Sequence, residues 1–320
     1  MTEVLEAVLR VVLVLGVFLV LPLLVGQTEH KAMAHMQSRL GPMYAGGFHG
    51  WAQLVADGVK FAQKEDIIPD AADRTVFKLA PAVALIPYLV VLVAIPVGPG
   101  LVAQKLDVGL FFVLAVMSVG VLGALMAGWA SANKFSLLGA LRTAAQLTAY
   151  ELPFILAAAS VAMAAGTLSL SGIVEAWQPW WLAWQLPGAV VFFVAGLAEL
   201  QRPPFDMPVA DSEIIFGAYT EYTGLKFAFF LLAEYGGIVA LSGMAATLYL
   251  GGYLGLPGIP LPPVVWMMGK IIALSFVVIW LRATFPRLRE DQLQRFSWLA
   301  LIPLSLVMIM VVAVVKVATK

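Results

Sequence analysis

Apolar runs long enough to cross a bilayer recur along this chain of 320 residues, and that repetition decides its fold class. A helix needs about 20 predominantly apolar residues to cross the hydrocarbon layer. Within that layer the backbone must satisfy its own hydrogen bonds, as a helix does. Hydropathy predicts eight spans, at about Val8–Gly26, Leu79–Gly98, Val108–Ala130, Leu147–Leu168, Trp184–Leu197, Leu225–Leu250, Val264–Leu281 and Phe296–Val317. The fifth is interrupted by Pro187 and Gly188, and so is the weakest of the set. Charged residues are 12% of the chain, about half the share of a soluble domain. The expectation is an all-α polytopic bundle forming one membrane domain over residues 1–320.

Basic residues then orient the bundle, because cytoplasmic loops are enriched in Lys and Arg. Of 19 such residues, the odd-numbered loops and their edges hold Lys31, Arg39, Lys60, Lys64, Arg74, Lys78, Lys134, Arg142, Arg202, Lys226, Arg282, Arg287, Arg289 and Arg295. The opposite side holds only Arg10, Lys105, Lys270, Lys316 and Lys320. Cytoplasmic loops are therefore expected at about 27–78, 131–146, 198–224 and 282–295, with both termini external. The first apolar segment reads as a span and not as a cleavable signal, for it lacks a small-residue cleavage site. Trp177, Trp180, Trp181 and Trp184 read as an aromatic belt at the external interface.

The first cytoplasmic loop is too long for a bare connector. Within it, Trp51, Leu54, Val55, Val59 and Ala62 form one helical face, with Gln53, Asp57, Lys60 and Lys64 opposite. This pattern predicts a short amphipathic helix over Gly50–Lys64, lying along the membrane surface.

Several chemistries are excluded. The chain has no cysteine, so Cys-ligated zinc, iron–sulfur and thiolate chemistry do not belong to it. His30, His35 and His49 lack the i, i+4 spacing of a helical metal site. Phosphate-loop, dinucleotide and nucleophile-elbow motifs are missing. Net charge is zero and the basic residues follow topology, which argues against nucleic-acid binding.

What the sequence does carry is acid at membrane depth. The stretch Glu199–Glu234 contains Glu199, Asp206, Asp211, Glu213, Glu221 and Glu234, the last inside an apolar run. Carboxylates there cost several kcal/mol each unless paired, hydrated or protonated, so a cluster points to proton or ion handling. Taken singly, each acid also reads as a buried or salt-bridged structural residue. Glu151 sits at the start of the fourth span beside Pro153, which predicts a local break that admits water. Arg142, Gln146 and Tyr150 repeat at i, i+4 and share a face leading toward Glu151. Glu221 and Glu234, 13 residues apart, would be about 20 Å apart on a continuous helix. A relay between them needs water and further carboxylates, with Glu151, Glu199 and Glu213 as candidates.

These residues carry a resemblance. Glu29–Lys31 with Arg39-Leu-Gly41-Pro42, Gln53-x-x-Ala-Asp57-x-x-Lys60 and Glu65 open the pattern. Gly139-Ala-Leu-Arg142-x-Ala-Ala-Gln146-x-x-x-Tyr150-Glu151 and Glu199-x-x-Arg202-x-Pro204-Phe205-Asp206 extend it. Thr220-Glu221-Tyr222-Thr223-Gly224, Ala233-Glu234-Tyr235 and Arg282-Ala-Thr-x-Pro286-Arg-x-Arg289-x-Asp291-Gln292 complete it. Over nearly its whole length the chain resembles the H-type membrane component of bacterial NADH–quinone oxidoreductase. That family is the bacterial counterpart of the first core membrane component of mitochondrial respiratory complex I.

The resemblance implies a component without flavin, iron–sulfur cluster or haem of its own, in the bacterial cytoplasmic membrane. It implies a quinone substrate, ubiquinone or menaquinone, bound in a chamber shared with iron–sulfur subunits of the peripheral arm. Small membrane subunits, antiporter-like subunits and lipid would lie laterally. Glu29, Arg39, Asp57 and Lys60 would lie near the quinone entrance and the peripheral arm. Arg202, Phe205, Asp206 and Asp211 would belong to the chamber, with Glu213 and Glu221 facing it. Glu199, Glu151 and Glu234 would lead into a proton-translocating axis. Four positions depart from the family pattern: His30 where Arg is usual, Met43 for Asn, Val209 for an acid and Leu299 for Lys. Val209 removes one carboxylate from the quinone-facing cluster. Related readings are the membrane component of an energy-converting hydrogenase or of another donor–quinone oxidoreductase. A stand-alone secondary transporter is disfavoured by the lack of inverted repeats.

Overall fold

Each of the eight apolar runs folds as a helix, and polar segments at their ends extend several of them. The computed structural model describes residues 2–255 and 258–319, with the side chains at positions 2–4, 6, 7, 9, 211 and 212 outside the description. Among the described residues eight helices are long and apolar enough to cross a membrane. They are α1 (Thr2–Met36), α3 (Arg74–Ala94), α4 (Gly109–Ala130), α5 (Lys134–Ala165), α7 (Trp181–Glu199), α9 (Gly224–Tyr249), α10 (Pro263–Thr284) and a composite eighth. The eighth joins α11 (Glu290–Phe296) to α12 (Ile302–Ala318) through a π-helical turn at Ser297–Leu301. Between spans lie α2 (Gln53–Gln63), α6 (Leu170–Ala176) and α8 (Asp211–Ile214). The expected all-α polytopic bundle is the observed fold.

Helix α9 is the axis of the bundle. Every residue from Gly236 to Tyr249 is buried, so this helix is apolar on all sides and enclosed by its neighbours. By contrast α1 and α12 leave Leu13, Leu19, Met310 and Val314 exposed, as suits faces turned to lipid or to other subunits. Where helices meet, small residues let the backbones approach. At Gly123 of α4 a Cβ would lie 2.5 Å from the Ala84 nitrogen of α3. That contact is possible only for glycine.

Prolines interrupt less than the sequence suggests. Pro153 was expected to break α5 beside Glu151, and Pro187 to interrupt the fifth span; both helices run through without a break. Buried packing and neighbouring polar groups hold a helix together across a proline at membrane depth. The second expected loop, 131–146, shrinks to three residues, because α5 already begins at Lys134. Asn133 caps it by accepting from the Phe135 N–H at 2.9 Å.

The amphipathic helix is present as α2, rotated from expectation. Leu54 faces Gly26 of α1, and the Phe61 ring lies 5.8 Å from Phe227 of α9. Trp51, Val55 and Val59 stay exposed. On the far side of the bundle the Lys270 ammonium of α10 donates to the carbonyls of Leu250, Gly252 and Leu254, each at 2.7 Å. It stands in for the donors that the end of α9 lacks. Trp181 packs inward against Ala164 and Val312, so the expected aromatic belt is partly protein core.

Candidate functional site

The site is built where α7 ends. Glu199 closes that helix, is 3% exposed, and has no hydrogen-bond partner on either carboxylate oxygen among the described residues. An unsatisfied buried carboxylate carries a large desolvation penalty, so it must be protonated or meet water. The space for water is there. A cavity of about 250 Å³ is lined by Glu199, Glu234 and Asp206, by Tyr88, Tyr219 and Tyr235, and by Arg282. Polar cavities of this size hold ordered water.

Behind its wall lies an ionic hub. Arg202 is the largest fully buried side chain, 1% exposed, in the loop that follows α7. Its Nη1 donates to Glu29 Oε1 of α1 at 3.2 Å, and Glu29 also pairs with Arg282 of α10. Its Nε lies 2.8 Å from Glu234 Oε1 of α9, an ion pair in which the N–H is not aligned on the acceptor. The guanidinium stands 5.1 Å above the Tyr235 ring. Burial disfavours the Arg202 charge, but Glu234 and Glu29 outweigh it and hold the guanidinium above its ordinary pKa. Burial, with Glu234 nearby, also pushes the Tyr219 phenol up. Four segments remote in sequence thus share two acids and two arginines.

The loop after Arg202 is fixed from both sides. Asp206 accepts two bonds from Arg287, at 2.7 and 2.8 Å, a fork geometry that ties the loop to the segment after α10. Gln146 of α5 donates to the carbonyls of Ala198 and Phe205 at 2.6 and 2.7 Å. Tyr150 donates to the Leu293 carbonyl at 2.9 Å, and its ring packs on Phe205. Arg142 reaches Glu213 at 2.6 Å. The face Arg142–Gln146–Tyr150 therefore anchors loops and does not lead to Glu151, which points elsewhere. Glu151 meets Ser118 of α4, whose hydroxyl lies 2.8 Å from Oε1 and 3.2 Å from the Leu114 carbonyl. A hydroxyl there can donate to a carboxylate or accept from a carboxylic acid.

Of the expected acids, Glu199, Glu234 and Asp206 share the cavity wall, and Arg202 with Glu29 stands behind it. Glu151, Glu213 and Glu221 do not line that cavity. Glu213 is exposed, and Glu221 accepts from Asn133 Nδ2 at 2.5 Å. Because α9 starts at Gly224, Glu221 and Glu234 are not on one continuous helix, so the spacing of about 20 Å does not apply. The Asp211 side chain lies outside the described residues. On the loop surface Arg39 is exposed, and Asp57 of α2 pairs with Lys60 at 3.4 Å and accepts from Gln53. Tyr88, Tyr219 and Arg287 were not anticipated. Arg287 falls within one of the spaced motifs, whereas Tyr88, a single tyrosine within an apolar span, and Tyr219, in the turn before α9, carry no sequence signal. No group of three or more acidic, histidine or cysteine residues suited to a metal occurs among the described residues.

Residues 9–313 match the model of a family described as NADH dehydrogenase. The chain is 43% identical over 317 residues to the second H-type component of NADH-quinone oxidoreductase from Rhizobium etli, covering 96% of this chain and 93% of that one. It is 44% identical over 318 residues to the second H-type component of the same enzyme from Rhizobium meliloti, covering 96% of each. With the H-type component from Geobacillus kaustophilus it shares 44% over 290 residues, 90% of this chain and 87% of the other.

Proposed function

The chain belongs to the NADH dehydrogenase family, among the H-type membrane components of NADH–quinone oxidoreductase, and from that premise we propose that it forms one wall of the quinone chamber and the start of an intramembrane proton axis. Its partners are then the other subunits of that complex. Iron–sulfur subunits would sit against the cytoplasmic loops, with smaller and antiporter-like membrane subunits alongside the bundle. Quinone is the substrate of the whole assembly, and the redox centres belong to partners.

One observation carries this reading: Glu199 lines a cavity with both oxygens unpartnered among the described residues, in company with Glu234 and Asp206. A carboxyl that is buried yet free to exchange a proton with water suits transfer better than it suits structure. The Arg202 hub gives the cavity a mechanical link. Movement of the loop that carries Arg202 and Asp206 would alter the charge beside Glu234. In this scheme Arg202, Phe205, Asp206 and Asp211 belong to the chamber, with Glu213 and Glu221 at its margin. Glu29 links the chamber to the hub, while Arg39, Asp57 and Lys60 lie at the entrance and the partner surface. Glu199, Glu234 and Glu151 form the relay.

Glutamine keeps the shape of a glutamate and removes its titratable proton. In the assembled complex, Glu151→Gln or Glu234→Gln should lower quinone-linked turnover and proton pumping about ten-fold or more, while assembly persists. Asp206→Asn, which weakens the fork to Arg287, should depress quinone reduction first. Electron transfer from donor to the terminal iron–sulfur cluster should be intact in all three. Wild-type pumping in both membrane-acid variants would show these carboxyls to be structural.

A further inference from the structure

Among the polar groups that line the cavity, Tyr88 belongs to neither the acidic motifs nor the ionic hub. Tyr88 comes from the middle of α3 and is buried, and its ring is seated between glycines of two other helices. A Cβ at Gly120 of α4 would lie 3.1 Å from the ring and 3.2 Å from the hydroxyl. A Cβ at Gly237 of α9 would lie 3.2 Å from the other ring edge and 2.5 Å from Leu200, the residue after Glu199. Tyr88 and the end of α7 therefore crowd the same patch of α9. The seat fixes the ring, Tyr88 lines the cavity, and its hydroxyl has no protein hydrogen-bond partner among the described residues. Glu199, with two free oxygens, faces the same space. The rings of the other two phenols take part in contacts outside this seat: Tyr235 lies under Arg202, and Tyr219 packs on Phe230.

We propose that Tyr88 is a relay hydroxyl of the cavity, exchanging protons between its water and the Glu199 carboxyl. The phenol passes its proton through a bridging water to a Glu199 carboxylate oxygen while its own oxygen takes one from the cavity water, which the Glu234 carboxyl replenishes, so one proton moves from Glu234 to Glu199, Tyr88 remains neutral and no charged phenolate forms. The reverse passage empties Glu199 toward the water that meets Glu234. A neutral hydroxyl suits this position because Val209 lines the same cavity without a charge to offer. This inference rests on the reading of Glu199 as a proton carrier.

The test compares Tyr88→Phe with Glu199→Gln in the assembled, membrane-reconstituted complex. Tyr88→Phe removes one oxygen and retains the ring that fills the glycine seat. It should be recovered in ordinary yield, with proton pumping lowered several-fold and a larger rate decrease in D2O than the wild type shows. The infrared carbonyl band that disappears in Glu199→Gln should shift in Tyr88→Phe, which a purely structural ring would not cause. Gly120→Ala, which displaces the hydroxyl without removing it, should lower pumping in the same sense and serves if Tyr88→Phe assembles poorly. Wild-type pumping in Tyr88→Phe beside a defective Glu199→Gln would overturn the role of Tyr88 and leave Glu199 standing. An unshifted Glu199 band would also overturn it. Wild-type pumping in Glu199→Gln itself would instead remove the reading on which the inference rests.

Discussion

Arg202 shows how much a single side chain can organise at the residue scale. It is 1% exposed and draws Glu29 of α1 and Glu234 of α9 toward the loop after α7, with Arg282 of α10 meeting the same Glu29 oxygen. Ion pairs at this depth contribute little net stability, because desolvation offsets attraction; removing one partner, however, leaves buried charge without an answer. Arg202→Leu should therefore destabilise the fold by about 3–5 kcal/mol, seen as loss of the protein from membranes and a lower melting temperature of any complex recovered. Arg202→Lys should fall between this and the wild type, since a point ammonium cannot reproduce a planar fork reaching two carboxylates. Equal stability of the leucine variant would show that the hub does not hold these helices. The sequence marked Arg202, Glu29 and Glu234 singly and gave them different tasks. That they meet could not be read from it, because Glu29 and Arg202 are 173 positions apart and only the packed bundle joins them.

At the scale of elements, hydropathy located all eight spans, because a bilayer-crossing helix is its own strongest signal. It misplaced the start of α5, since Lys134, Arg142 and Gln146 look like loop residues when only hydropathy is read. Those of them that face the loops spend their polarity on loop carbonyls and on Glu213, so a polar helix face becomes an anchor for the site. It also overstated the prolines, whose effect depends on neighbours that a linear reading cannot supply. Close approach between helices is equally invisible until they are packed, and α3 with α4 is the clearest case. Gly123→Ala would press a methyl against the backbone of Ala84, which has no flexible end to yield. We expect a loss of about 1–3 kcal/mol, measured as a drop in thermal stability in detergent. Gly16→Ala of α1, where a Cβ would meet nothing within 4 Å, should be neutral and is the matched control. If both glycines tolerate alanine equally, tight packing of α3 on α4 is not what holds that pair.

The charges of the molecule are polarised between its two ends, and that polarity predicts which way it stands in the membrane. One end gathers Lys60 with Asp57, Lys226 with Asp66, Arg142 with Glu213 and Arg289 with Asp291, the pairs that dress the loops around the cavity. The other end is nearly bare of them. There Arg10 reaches the Ala103 carbonyl, Lys270 fastens the loop after α9, and Lys316 donates to Ala164. A cationic end resists translocation, so the first should face the cytoplasm. Eight crossings would then return the end of α12 to the side where α1 began, which is expected to be external. The absence of cysteine makes this testable with single thiols, since any introduced one is unique. In otherwise wild-type membranes, Thr319→Cys should react with an impermeant maleimide applied to intact spheroplasts. Tyr44→Cys, at a residue that is 96% exposed in the first long loop, should be protected there and react in inverted vesicles stripped of peripheral subunits. The opposite labelling would invert the bundle. It would place the Glu199 cavity and the loops around it on the side away from an electron-delivering partner, and the proposed quinone chamber would lose its access to reducing equivalents.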